Sequence, residues 1–285
     1  MSELTGNLTK LGNTNTEYKS QYDKSLLEPI ERELRRKDYI APMNGVDVWT
    51  CFEVSFLLES GLPFFCVLRI YNPADSKNIF ESKSIKLYLN SYNNTKFETA
   101  FHAITQIKAD LQEFVESKEL EVELIGSFNN EYSLYNFQSI KLEGCYPNTT
   151  INDYNYNPDL LKTSMLMVVG TDKVLTFHSD LLRSNCEITN QPDWGRVIVE
   201  YIPNEKVINT ESLLQYIVSF RNHQEFHEPT CERIYNDLYK LLDAKELTVI
   251  CQYTRRGGID INPVRSTNKE RALKLAKNLP KLLQQ

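Results

Sequence analysis

Twice along the chain, β-rich runs of apolar residues give way to a helical spacing of apolar positions and then return to strand. The segments VLRIYNPADSK (Val67 to Lys77) and VIVEYIPNEK (Val197 to Lys206) each run to a Tyr, then a Pro, and close on polar turn residues. Further on, AFHAITQIKADLQEFVES and TCERIYNDLYKLLDA repeat apolar residues at three and four, the period of an amphipathic helix. Each helix runs into Lys-Glu-Leu, and the strands LEVELIGSF, from Leu120, and LTVICQYT, from Leu247, follow. Laid over one another, Asp47 to Phe128 and Leu175 to Tyr253 therefore form a weak internal duplication. Between the helical and β-rich segments of the first copy, FESKSIKLYLNS is expected as a strand. Glu81 and Lys83 then lie on one face and Ser82, Ser84 and Lys86 on the other.

A duplicated antiparallel sheet with helices packed on one face is an α+β arrangement in two tandem lobes. The Asn/Thr/Pro-rich stretch YPNTTINDYNY reads as the connector. The expected division is an arm over 1–26, a first lobe over 27–145, a linker over 146–160 and a second lobe over 161–285.

Composition narrows the function classes. No apolar run approaches the length of a membrane span. The N-terminal stretch lacks the basic and apolar regions of a secretory signal, so a cytoplasmic protein is expected. Six cysteines stand singly, as reduced thiols do. A net charge of -6 argues against direct nucleic-acid binding. No glycine pattern makes a Rossmann fingerprint or a P-loop. No zinc-ligand spacing occurs, so no metal is expected.

Several strings could carry chemistry. In LLRSNCEITNQPDWG, Cys186 stands where an apolar run ends, and a turn through Asn190 to Pro192 folds Asp193 back toward it. A thiolate nucleophile with a nearby acid suits addition to a weak electrophile. An inert half-buried cysteine beside a turn carboxylate fits the same string. NHQEFHEPT sets His223, Glu225, His227 and Glu228 at a helix start, as a ligand clamp or as a cap. TRRGG offers two guanidiniums beside a flexible turn, for a phosphate or as hairpin decoration.

In order along the chain, ESKSIKLYLNS, SNCEITNQPDWG, EFHEPTCE and YTRRGGIDINP closely resemble the long form of the 7-cyano-7-deazaguanine reductases, from about Leu27 onward. The resemblance implies two tandem tunnelling-fold lobes and a small-molecule partner, 7-cyano-7-deazaguanine, with assembly as a homodimer. It implies reduction of a nitrile to a primary amine by two NADPH, on the route to the tRNA nucleoside queuosine. By the same resemblance Cys186 forms a covalent thioimide and Asp193 protonates the nitrile nitrogen. His227 stands near the reacting centre, and Glu228 reads the purine edge. Phe80, Glu81 and Ser82 form the other substrate-contacting segment, and Ser82, Lys83, Arg256 and Gly257 contact NADPH. Within the tunnelling folds a metal-dependent cyclohydrolase is one alternative. A purine-binding protein without turnover is another.

Overall fold

Why the same periods recur is plain in the computed structural model, which describes residues 19–61, 63–125, 139–146, 148–165, 173–187 and 191–280. The chain divides into two compact units. The first comprises Met1–Lys37, Asp47–Tyr132 and Arg255–Asp260, and the second Asp38–Val46, Ser133–Thr254 and Ile261–Gln285.

In the first unit β1 (Pro29–Glu31) pairs antiparallel with β4 (Asn78–Phe80). The long strands β2 (Asn44–Leu58) and β3 (Pro63–Pro73) are neighbours. The string from Phe80 is not a strand: after β4 it forms helix α1 (Ser82–Asn90). Glu81 caps that helix, and Ile85, Tyr88 and Leu89 supply a buried stripe at helical spacing. Of the charges set on the two faces of that expected strand, Lys83 and Lys86 are half-buried along the helix and Glu81 is buried at its start. A short β5 (Lys96–Phe97) joins the end of β2 in parallel, helix α2 (Ala100–Val115) follows, and β6 (Glu121–Ile125) returns antiparallel to β3.

The second unit opens with β7 (Ile140–Lys141), a single turn α3 (Leu142–Cys145) and β8 (Thr163–Met165). Its main sheet runs β7, β9 (Leu175–Asn185), β10 (Pro192–Ile202), β12 (Glu246–Tyr253), β13 (Ile259–Ser266). All its pairings are antiparallel except β7 with β9. Strand β11 (Lys206–Ile208) pairs with β8, and helices α4 (Thr210–Ser219), α5 (His227–Leu242) and α6 (Lys269–Lys277) complete the unit. The apolar stripe of α5 (Cys231, Ile234, Tyr235, Leu238, Leu242) is fully buried with Val249, Cys251 and Tyr253 of β12. Fully burying each large side chain contributes roughly 1.5–3 kcal/mol. The architecture is the expected α+β class, with two short parallel pairings among the mostly antiparallel strands of the described residues.

The repeat extends to fine detail. Helices α2 and α5 are both 16 residues long, and both end on a left-handed residue, Glu116 (φ 55°) and Asp243 (φ 47°). Asp110 of α2 accepts hydrogen bonds from the hydroxyls of Tyr22 and Tyr88, each 2.8 Å. Asp237, at the same position of α5, accepts from Tyr156 at 2.7 Å and Tyr216 at 2.6 Å. The rings repeat too: Tyr22 and Tyr88 have centroids 6.4 Å apart at 69°, Tyr156 and Tyr216 6.4 Å apart at 65°. Burial, then the Asp110 hydrogen bond, pushes the Tyr22 phenol up to about 12. Tyr88 and Tyr216 are likewise raised, chiefly by burial.

Candidate functional site

In the second unit, β9 ends at Asn185 and leaves Cys186 at the first position beyond the ladder, half-buried. The Cys186 N–H donates to the Gln191 carbonyl at 2.8 Å, which closes the hairpin to β10. Residues 188–190, and with them Asn190 of the expected turn, lie outside the described residues. Pro192 is already in β10, opposite Asn185, and Asp193 is opposite Ser184. Strand alternation then separates two neighbours. Asp193 points inward at 4 % exposure, while Trp194 faces out at 43 %, with the guanidinium carbons of Arg183 and Arg221 at 5.8 and 5.6 Å from its ring centroid.

The string NHQEFHEPT is brought against the same hairpin by backbone pairing. Asn185 N–H donates to the His223 carbonyl at 2.8 Å, and Glu225 N–H donates to the Asn185 carbonyl at 3.2 Å, a parallel bridge centred on Gln224. Two residues later α5 begins. His227, Glu228 and Pro229 form its first turn, where proline has no N–H to leave unsatisfied and a carboxylate is favoured by the helix dipole. His227 Nε2 lies 3.4 Å from Asp193 Oδ1. The imidazole stacks on Tyr253, centroids 3.8 Å apart and planes within 5°. Its Nδ1 is buried and, among the described residues, has no hydrogen-bond partner. Burial, with smaller contributions from Cys251, Cys231 and Asp193, raises the Tyr253 phenol well above its usual value, so it stays protonated beside the imidazole. Glu228 is 2 % exposed. Cys186, Asp193, His227 and Glu228 thus belong to one unit, and the hairpin, the carboxyl and the imidazole are tied together by contacts of backbone and side chain.

His223 and Glu225 of the same string are otherwise engaged. His223 Nε2 is 3.0 Å from Glu225 Oε2, and Arg233 grips Glu225 from Nε at 3.0 Å and Nη2 at 2.7 Å.

The remaining candidates, Phe80, Glu81, Ser82, Lys83, Arg256 and Gly257, lie in the first unit. The Phe80 ring is core, edge-on to Trp49 at 5.4 Å and stacked on Phe114 at 5.6 Å. Glu81 accepts the amides of Lys83 at 2.8 Å and Ser84 at 2.7 Å, one on each oxygen. Burial nevertheless holds its carboxyl above the usual range, against the pull of those two amides. Ser82 is exposed and Lys83 half-exposed at the start of α1. Gly257 (φ 55°) and Gly258 (φ 77°) make the two-residue turn between Arg256 and Ile259, which exchange backbone hydrogen bonds of 2.8 and 3.0 Å. A Cβ at Gly257 would stand 3.2 Å from Lys86 Nζ, and Lys86 with Cys51, Glu53, Asn90 and Gly258 lines a depression at this turn. Lys86 was passed over in the sequence because the strand reading set it apart from Lys83; on a helix the two are one turn apart. Arg255 is spent over the Phe52 ring at 3.7 Å.

Among the described residues, no group of three His, Cys, Asp or Glu side chains converges as a metal site, and no helix is long and apolar enough to cross a membrane.

Comparison with known proteins places families on both units. Residues 18–124 match the model described as "Nitrile reductase, 7-cyano-7-deazaguanine-reductase N-term", and residues 192–272 match that of "QueF-like protein". Among solved structures, the archaeosine synthase QueF-Like in the apo form is similar at 20 % identity, over 34 % of this chain and 94 % of that one, with a TM-score of 0.31. With an N-terminal nitrile-reductase domain followed by a QueF-like domain, the chain belongs to the QueF-type nitrile reductases of the queuosine pathway, in their long tandem form.

Proposed function

We propose that the chain reduces the nitrile of 7-cyano-7-deazaguanine to the primary amine of 7-aminomethyl-7-deazaguanine through a covalent adduct on Cys186. The observation that carries this reading is the 3.4 Å approach of His227 Nε2 to the buried Asp193 carboxyl, at the root of the hairpin that bears the thiol. A nitrile carbon is a weak electrophile. Addition of the Cys186 sulfur forms a C–S bond and breaks one C–N π bond. The nitrogen takes a proton from Asp193 as the bond forms, which avoids a free nitrogen anion and leaves a thioimide. His227, stacked on Tyr253 and facing Asp193, holds that carboxyl in place and resupplies its proton. After reduction of the thioimide carbon, Cys186 leaves as the thiolate and an imine remains, which is reduced in turn to the amine.

Glu228 is assigned to the purine edge, where a carboxylate accepts from an N–H and an amino group together. Phe80, Glu81 and Ser82 are the second substrate segment in this reading. Phe80 contributes through its backbone, since its ring is core. NADPH supplies the hydride for both reductions. Ser82, Lys83, Arg256 and Gly257 fit a phosphate-bearing cofactor: a hydroxyl, two cations and an open glycine turn with the Lys86 amine beside it. Homodimeric assembly, the absence of direct nucleic-acid contact and a cytoplasmic location belong to the same proposal.

The test is to add the cyano-deazaguanine without NADPH and weigh the protein. A mass gain of one whole substrate on Cys186, followed by consumption of two NADPH per amine, is expected. No adduct and no NADPH oxidation would overturn the proposal.

A further inference from the structure

The mechanism leaves unused one buried charged group close to the reacting residues. Glu225 is 5 % exposed and is held by two side chains, Arg233 through two hydrogen bonds of 3.0 and 2.7 Å and His223 through one of 3.0 Å. Arg233 in turn lies 5.0 Å over the Tyr156 ring, and the same ring meets His223 at 5.4 Å. Burial alone would raise the Glu225 carboxyl, but the hydrogen bonds from His223 and Arg233 outweigh it and hold it below its usual value. A buried carboxylate so satisfied is rigid, and removing one partner is costly.

Its backbone is what matters for chemistry. The Glu225 N–H and the His223 carbonyl are the two groups that grip Asn185, and Asn185 is the residue before Cys186. Two residues after Glu225 stands His227, which faces Asp193. One short segment therefore fixes the base of the thiol and the start of the helix that presents the imidazole. In the first unit the matching position of Arg233 is the neutral Gln106, and Glu98, ahead of α2, is exposed and pairs with His102 at 3.2 Å.

We infer that Glu225, locked between Arg233 and His223, is a positioning residue that holds segment 223–227 in register with Asn185 and so sets Cys186 and His227 for reaction. The inference rests on the proposed roles of those two residues. Because a 1 Å misplacement can cost about 100-fold in rate, the loss should fall on chemistry and not on binding. The experiment compares the full chain with Glu225→Gln and Arg233→Lys. Three quantities are read: the rate of the Cys186 adduct without NADPH, kcat with KM, and Cys186 alkylation by iodoacetamide.

In folded Glu225→Gln, adduct formation and kcat should fall by about 10-fold or more with KM changed less than about twofold. Arg233→Lys, which keeps the charge with one bond fewer, should fall between that variant and the parent. Alkylation should change rate in the same order. A Glu225→Gln protein with a lower melting temperature but parental adduct and alkylation rates would overturn the inference, since its role would then be structural only. Should Glu225→Gln fail to fold, Arg233→Lys is read in the same way against the same outcomes. If the parent itself forms no adduct, the proposed function fails, while the alkylation series still decides the positioning role.

Discussion

In the first unit Asp110 accepts from Tyr22 and Tyr88 and is steadied by the amide of Gln106 at 3.0 Å. In the second, Asp237 accepts from Tyr156 and Tyr216, and the place of Gln106 on the helix is taken by Arg233, whose charge is spent on Glu225. The first turns of the two helices diverge as well. Phe101 of α2 is 75 % exposed, whereas Glu228, at the same position of α5, is 2 % exposed. The two copies thus share the contacts that tie two tyrosines to the long helix and differ at the start of that helix, where the proposed substrate groups stand.

The largest effect should come from the sulfur. Cys186→Ala is expected to abolish both the substrate adduct and NADPH oxidation, since no other step can bond the nitrile carbon, and mass spectrometry with a cofactor assay reads both. Activity retained in that variant would break the contrast between a reactive and a supporting unit. Asp193→Asn keeps the shape but loses the proton donor. Turnover should fall by about 10²- to 10⁴-fold, in single-turnover kinetics, with the fold unchanged by circular dichroism.

Smaller effects test the shared part. Tyr88→Phe and Tyr216→Phe each remove a buried hydrogen bond to a carboxylate, and each should cost about 1.5–3 kcal/mol in denaturant unfolding. Similar costs would sharpen the comparison; a cost in one unit alone would break it. The smallest concerns an ion cluster of the second unit, in which Asp180 meets Arg196 at 2.6 Å and Lys141 at 2.8 Å. Burial raises the Asp180 carboxyl, but the hydrogen bonds from Arg196 and Lys141 outweigh it and bring it to about 2. A depressed carboxylate stabilises the fold above its ordinary value near 3.8 and loses that contribution as pH falls through about 2. Asp180→Asn should therefore lower the melting temperature by a few degrees at about pH 7, and the difference should vanish as the pH approaches about 2.

How much of this was legible in the sequence differs by element. The paired long helices and the strands around them were readable, because amphipathic spacing and the Lys-Glu-Leu endings are local signals. The short helix α1 was not. Lys83 and Lys86 straddle its polar side, and the stripe Ile85, Tyr88, Leu89 is too brief to outweigh them by eye. A stronger cue was present and unused. YDKSLLE from Tyr22 and YNPDLLK from Tyr156 are near-copies, and both lead through a tyrosine to the buried carboxylate of the following long helix. The bonds themselves span many residues, and spacing along the chain carries no trace of them.

Of the candidate site, the order Cys186, Asp193, His227, Glu228 was readable from motifs, and the strand pairing supplied what motifs lack. Pro192 proved to be a ladder residue, so on β10 the carboxyl is aimed by pleat alternation. The lock on Glu225 was out of reach, since Arg233 lies inside a helix whose amphipathic pattern already accounts for it.

The outward face of β10 has a practical consequence. The chain has two tryptophans, Trp49 with 0 % exposure and Trp194 with 43 %. Only the second can be quenched by a dissolved ion, and it sits one residue from Asp193. Its emission is a built-in optical gauge of the strand that bears the acid, readable without any label while ligands are titrated in.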